Sequence, residues 1–264
     1  MIWRRVQTLL QKLGYYDGKV DGINGPITTF AIKSYQKTNS LKPDGIAGPV
    51  TLAVMFPTDP QPPPPTGEPW KGAARLLLPS DIGAAANGLG IEPATLIALT
   101  TVLGAGSGFD TENRVRVVYE PHIAYRLTTG AVRDALIADG LAYSHWGEHP
   151  YPGSSAARYS QVRQTMAIAP EAAFNAAAWG LGQVMGFNAG QAGYTDAAAM
   201  IRAFADGEDN QLWGACNMIA HNRLALEALK NHQWEIFMEA YSGRADTKGG
   251  TAQRLAEQYR RARQ

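Results

Sequence analysis

The chain has 264 residues, 45% of them hydrophobic, with 24 Lys+Arg against 23 Asp+Glu and one cysteine. That apolar share suits a packed core and excludes a disordered chain. No apolar run reaches the ~18 residues of a spanning helix, and one cysteine excludes both a disulfide framework and a cysteine-cluster metal site. The near-neutral total hides a split. Residues 1–56 carry seven Lys/Arg and three Asp/Glu, residues 244–264 carry six and two, and residues 57–243 carry eleven and eighteen. Two basic ends would be drawn to an anionic polymer, for which cell wall, nucleic acid and lipid headgroups all qualify.

The opening "MIWRRVQTLL" is basic, and Gln11 and Lys12 interrupt it before a secretory apolar segment can form. Synthesis in the cytoplasm without a signal peptide is the expectation. Val6, Leu9, Leu10 and Leu13 fall at helical spacing. "DGINGPIT" (Asp21–Thr28) then recurs 23 residues later as "DGIAGPVT" (Asp44–Thr51), identical at six of eight positions. Asp21-Gly22 and Asp44-Gly45 are tight-turn dipeptides, and each Gly-Pro-x-Thr opens an apolar-periodic run, with proline tolerated in a first helical turn. A three-helix module over residues 1–56 follows. Seven prolines within Pro57–Pro69 predict a semi-rigid spacer over 57–72. The rest, 73–264, forms a second, larger domain.

In that domain "IEPATLIALTTVLG" places Leu96, Leu99, Val102 and Leu103 on one helical stripe that stops at Gly104. "RVRVVYE" (Arg114–Glu120) alternates and is rich in β-branched residues, so it reads as a strand. Paired with 106–113 it would make a short β-hairpin, with Asp110 and Glu112 facing solvent. Helical patterns follow over Pro170–Ala178, Tyr194–Asp206, Asn210–Leu229, Gln233–Ala240 and Thr251–Arg263. The fold class is mainly α, with a helical domain around one hairpin. Cys216, in the apolar "WGACNMIA", reads as an inert buried thiol. "HWGEH" (His145–His149) spaces two histidines four apart, but beside "PYPGSS" it is a loop rather than a zinc helix. No metal site is assigned. "GAGSG" (Gly104–Gly108) follows a helix and opens a strand, the reverse of a dinucleotide loop. The tail "RLAEQYRRARQ" reads either as a last core helix with its arginines outside or as an amphipathic end for lipid.

Two resemblances rest on these motifs. "LQKLGYYDGKVDGINGPIT" and "AIKSYQKTNSLKPDGIAGPVT" resemble the peptidoglycan-binding module of many cell-wall hydrolases. "VLGAGSGF" with "RVRVVYEPHIAYRL", then "AAAWGLGQVMGFN", then "QWEIFMEAYSG", resemble the muramidase domain of certain phage endolysins, a member of the lysozyme-like group. This resemblance implies glycoside hydrolysis, in which a carboxylic acid in an apolar pocket protonates the leaving oxygen. The family pattern Val-Glu-Ser-x-Gly-x-Gly-Phe falls on Val102–Phe109, so the acid position is Leu103 and the serine position is Gly104. Ala178 stands where the family often has serine, and Ser242 where it often has asparagine. Tyr119, His122, Trp179, Gln183, Tyr241, Ser242 and Asp246 are the implied substrate-binding residues, and Glu120 is a candidate catalytic carboxylate.

Three functions stay open on the sequence. One is an active N-acetylmuramidase that uses another carboxylate such as Glu120. The second is a wall-binding relative with cleavage lost or strongly reduced. The third is a lysozyme-like pocket, naturally diverged or engineered, that takes a different small molecule. No cofactor is implied. The expected partner is peptidoglycan at the bacterial wall, with no nucleic acid and no transmembrane segment, and the chain is expected to be a monomer.

Overall fold

Two buried glutamines explain why the Asp-Gly repeat is written as it is. In a computed structural model, which describes residues 2–22, 25–45, 47, 49–57, 68–243 and 250–264, the first module is α1 (Ile2–Lys12), α2 (Pro26–Thr38) and α3 (Pro49–Met55). Gln7 on α1 donates from Nε2 to Asp21 Oδ1 (2.8 Å) and Thr28 Oγ1 (3.1 Å) and accepts at Oε1 from the Gly22 amide (2.7 Å). Gln36 on α2 repeats this with Asp44 Oδ1 (2.8 Å), Thr51 Oγ1 (3.0 Å) and the Gly45 amide (2.8 Å). Each octapeptide is thus gathered onto one amide of the preceding helix. Gly22 and Gly45 adopt φ of 84° and 81°, which a side chain disfavours. Val6, Leu10, Ile32, Tyr35 and Met55 close the core beneath. Leu13, expected on the apolar stripe, lies past the end of α1 and is exposed.

The larger domain starts earlier than residue 73. Trp70 is fully buried in its core, and the Trp70 carbonyl accepts from the Val115 amide (3.0 Å). The spacer expected over 57–72 is therefore folded from Glu68 onward, while its residues 58–67 lie outside those described. The elements follow as α4 (Pro79–Leu89), α5 (Pro93–Leu103), β1 (Val117–Tyr119), α6 (Pro121–Leu127), α7 (Gly130–Ala138), α8 (Ser155–Ile168), α9 (Pro170–Asn175), β2 (Ala177–Trp179) and β3 (Val184–Met185). Then come α10 (Ala197–Asp206), α11 (Glu208–His221), α12 (Arg223–Lys230), α13 (Trp234–Ser242) and α14 (Gly250–Ala262). Proline opens α4, α5, α6 and α9, where its fixed φ suits a first turn and its missing N–H costs nothing.

The sheet extends the expected hairpin. Residues 106–113 pair back just before β1, through the antiparallel Phe109–Val115 bridge and the bonds from the Asp110 amide to Arg114 O (2.9 Å) and the Arg116 amide to Gly108 O (2.7 Å), but β1 itself pairs elsewhere. Its true partner is β2, antiparallel with Val117 opposite Trp179 and Tyr119 opposite Ala177, and β3 completes a three-stranded sheet. The alanines that read as a longer α9 leave the helix at Asn175, because strand pairing with β1 outweighs their helix propensity. The expected helix Asn210–Leu229 is broken at Asn222, whose side-chain oxygen caps α12 at the Ala225 amide (3.0 Å). α14 packs on α5 with Leu255 and Tyr259 buried, and the Tyr259 hydroxyl donates to Glu92 (2.8 Å). The basic tail is therefore the last core helix.

Asp110 is not solvent-facing. Its side chain is 4% exposed and pairs with Arg114, 5% exposed, at 2.8 Å, while Ser155 donates to Oδ2 (2.5 Å). Glu112 is the exposed member, pairing with the same guanidinium at 3.0 Å. Burial alone would raise the Asp110 carboxyl, but hydrogen bonds from Ser155 and Arg114 outweigh it and hold it below its ordinary 3.8. A lowered folded-state pKa contributes stability that is fully present above that ordinary value and is lost as pH falls through the folded one.

Two outcomes follow for urea denaturation. Asp110→Ala, which leaves the buried Arg114 guanidinium with the exposed Glu112 as its remaining ion-pair partner, should cost about 2–3 kcal/mol at neutral pH, and its penalty should shrink on acidification below about pH 4. Gln36→Leu leaves the Gly45 amide, Asp44 and Thr51 without their shared partner and should destabilise the first module by about 1–3 kcal/mol. A neutral result for either would remove the role given to it here.

Candidate glycan site

The apolar stripe of α5 buries Ala94, Leu96, Ala98 and Leu99, which drives the C-terminal end of the helix into the domain. There Leu103 is half-buried. Like Val102, Cys216 and Tyr241, it packs against an apolar cluster that includes Leu99, Leu212, Phe237 and Met238. Gly104 closes the helix, its amide donating to Thr100 O (3.0 Å). A Cβ on Gly104 would stand 2.7 Å from Leu181 Cδ1 and 2.9 Å from the carbonyls of Leu181 and Thr100. The end of α5 therefore abuts the turn joining β2 to β3. Tyr241 reaches the same turn from α13, its hydroxyl donating to Gly182 O (2.8 Å). Burial, with a smaller contribution from Cys216, pushes that phenol well up. Burial likewise pushes the Cys216 thiol up to about 12, so it stays protonated at neutral pH.

Two residues that sequence reasoning did not single out fix this junction. Glu208, first in α11, accepts at Oε1 from Ser107 Oγ and the Gly108 amide, both at 2.7 Å, and at Oε2 from the Leu77 amide (2.8 Å). Gln211, one turn on, accepts from the Leu181 amide (2.7 Å) and donates to Phe204 O (2.9 Å). Spaced three apart, they share a helix face and tie both glycine-rich turns to it. A Cβ on Gly108 would fall 1.7 Å from Gln211 Oε1, so this glycine is required by close approach. An acidic residue in a first helical turn is ordinarily read as complementing the helix dipole, which concealed its partner 100 residues earlier in the chain.

Alternation along the strands sorts the remaining candidates. Val117, Tyr119, Ala177, Trp179 and Val184 turn into the core. Trp179 is fully buried, stacks with Trp70 at 6.3 Å and donates its indole N–H to Phe174 O (3.0 Å). Tyr119 is 1% exposed and donates to Leu141 O (3.0 Å). Both were expected to touch substrate, but both are core residues with their polar atoms committed inward. The opposite face carries Arg116, Val118, Glu120, Ala178 and Met185, with Ala178 opposite Val118 and Met185. Ala178, rather than its neighbour Trp179, shares a face with Glu120.

Glu120 lies at the far end of β1. Its amide donates to Ala176 O (2.8 Å), and its side chain, 9% exposed, receives the Tyr151 hydroxyl at Oε2 (2.6 Å), with His122 Nδ1 3.2 Å away. At the near end, Arg116 donates to Gly108 O (2.7 Å) and accepts from the Gly180 amide (2.8 Å), level with the turns beside Leu103. Four residues of extended chain separate Arg116 from Glu120, roughly 13 Å. Of the other expected residues, Gln183 braces its own turn through Gly180 O (2.8 Å), and Ser242 donates to Met238 O within α13 (2.6 Å). Asp246 lies outside the described residues.

The fold matches known proteins. Residues 92–263 match the N-acetylmuramidase family, and residues 2–55 match a domain described as "Putative peptidoglycan binding domain". The chain therefore belongs to the N-acetylmuramidase family, with the two-part organisation of a modular endolysin. The crystal structure of a Burkholderia AP3 phage endolysin is similar over 100% of this chain and 96% of that one, at 30% identity and a TM-score of 0.62. Shorter stretches resemble two curated proteins. One is "Putative OxPP cycle protein OpcA" of Synechocystis sp., 53% identical over 45 residues (17% of this chain). The other is N-acetylmuramoyl-L-alanine amidase CwlM of Mycobacterium tuberculosis, 47% identical over 51 residues (19% of this chain). These stretches span only 10% and 13% of those two proteins.

Leu181 and the two carbonyls leave no room for a side chain at residue 104. Gly104→Ser should therefore destabilise the larger domain by about 1–3 kcal/mol, whereas Leu103→Glu alone should be tolerated better. A thermal melt in which Gly104→Ser is neutral would show that Leu181 yields and that the junction is looser than described.

Proposed function

We propose that this chain grips peptidoglycan through its first module and its muramidase-type domain while cutting it poorly or not at all. The observation that carries this reading is Leu103 at the end of α5. An aliphatic side chain has no proton to deliver, and loss of a positioned general acid costs ~10²–10⁴ in rate. The surroundings support the placement. The apolar cluster against which Leu103 packs is the kind of surrounding that keeps a carboxylic acid protonated near neutral pH. The carboxylate beside the junction, Glu208, is no replacement, because all three of its partners donate to it.

A second reading draws on the burial of Glu120 beside His122 and Tyr151, which gives cleavage with Glu120 as the acid. Purified peptidoglycan incubated with the chain, followed by mass analysis of soluble fragments, separates the two. The wild type should sediment with the wall and release little. Leu103→Glu should raise release by at least about 100-fold. Release by the wild type that disappears in Glu120→Gln would favour the second reading. A folded Leu103→Glu variant with no gain would remove residue 103 as the acid position.

A further inference from the structure

Trp3 lies one turn before Val6 on α1 and carries the buried stripe of Val6, Gln7 and Leu10 to the rim of the first module, where it packs against that module's core. Its contacts do not end there. The ring meets Trp213 of α11, in the larger domain, with centroids 6.3 Å apart and planes at 40°. That separation lies within the range of attractive aromatic pairs. Trp213 is braced from its own side. Tyr194 stands edge-on to it at 5.2 Å, Phe204 stands edge-on to Tyr194 at 5.7 Å, and the Tyr194 hydroxyl donates to Asn210 O (3.0 Å). Gly214 lets α11 approach these rings closely, since a Cβ there would stand 2.9 Å from Phe204 Cζ. Each tryptophan is thus half-buried against a different core. The pair bridges two cores that the backbone joins through the proline-rich spacer.

Domains joined in this way ordinarily move against one another unless a contact holds them. A short spacer also makes any such contact intramolecular, at an effective concentration in the millimolar range. A small contact then suffices, provided that it costs little to order. Tryptophan meets that condition, because only two side-chain angles set its large apolar area, and here each ring is already packed by its own domain. The position on α11 gives the contact a consequence. Gln211, which with Glu208 ties both glycine-rich turns to this helix, lies two residues before Trp213. Ala215 packs beneath the β2–β3 turn, where a Cβ on Gly182 would fall 2.4 Å from its own Cβ. The helix that meets the module is also the helix that holds the candidate site together.

We infer that Trp3 latches the first module onto α11 through Trp213, so that the two domains move as one body and a wall strand held by the module meets the larger domain in one orientation. The orientation of a strand rests on the wall-binding reading, which sedimentation with peptidoglycan tests. The latch itself is tested without any wall and whatever the fate of cleavage.

The test is NMR relaxation of the backbone amides of the full chain, which reads the tumbling of each domain separately. In the wild type, amides of α1, α2 and α3 should report the same correlation time as amides of α5 and α11. Trp3→Ala should shorten the correlation time of the first module toward that of a free body of its size, and should shift the Trp213 indole resonance. Trp3→Phe should keep most of the coupling. An unmoved Gly45 amide resonance, which depends on the bond to Gln36, verifies that the module is folded. Trp213→Ala, which leaves the module's core intact, asks the same question from the other side and should also release it. The double variant should tumble like either single one. A wild type whose module tumbles faster than the larger domain overturns the latch. So does a folded Trp3→Ala or Trp213→Ala variant that still tumbles as one body.

Discussion

Two turns on opposite sides of the candidate site meet on one helix end. Glu208 and Gln211, in the first turn of α11, bind the amides of Gly108 and Leu181. Neither turn has regular structure of its own to satisfy those donors, and a buried amide without a partner costs about as much as a lost hydrogen bond or more. The side chains resolve that problem for both turns together, and in doing so they fix the distance between the end of α5 and the β2–β3 turn. Everything placed at that junction inherits its geometry from this pair: Leu103, Gly104, Leu181 and, through Gly182, Tyr241.

On the proposed reading, this arrangement lets the acid position change without damage to the scaffold. None of the bonds that hold the junction passes through residue 103. An acid there would place a polar group against that apolar cluster, a cost in stability that an enzyme accepts for its reactivity. Leucine removes that cost. The missing side chain at residue 104 agrees with it, because Leu181 occupies the space. Residues 103, 104 and 181 therefore behave as one packing unit, and a change at one of them is read correctly only with the other two.

Much of the fold was readable from pattern. The Asp-Gly repeat, the proline-led helices and the stripe of α5 each express a local rule, and local rules survive folding. The failures share a cause. The β2–β3 hairpin is written in alanines and glycines, whose strand character comes only from pairing with β1, some 60 residues away. Trp179 and Tyr119 were expected at the substrate cleft on the resemblance, yet strand parity turns them inward. Asp110 was expected outside because it is charged, yet Arg114 lies four residues on and shields it. Glu208, Gln7 and Gln36 were passed over because a buried polar residue reveals itself only through its partner. Long-range pairing and strand parity were the two quantities the linear pattern did not contain.

The two ends of β1 then take on different work. The near end, at Leu103, has packing and fixed backbone but no proton. The far end has a buried carboxylate, which accepts from the Tyr151 hydroxyl and lies 3.2 Å from His122 Nδ1. A polymer is the ligand that can use both ends, because it can be held at one while its chain lies across the other. A free small molecule fits only one end at a time. On the proposed reading, a loss of cleavage at one end leaves a polymer its reason to bind along the rest of the strand face, and wall binding is the function that reading keeps.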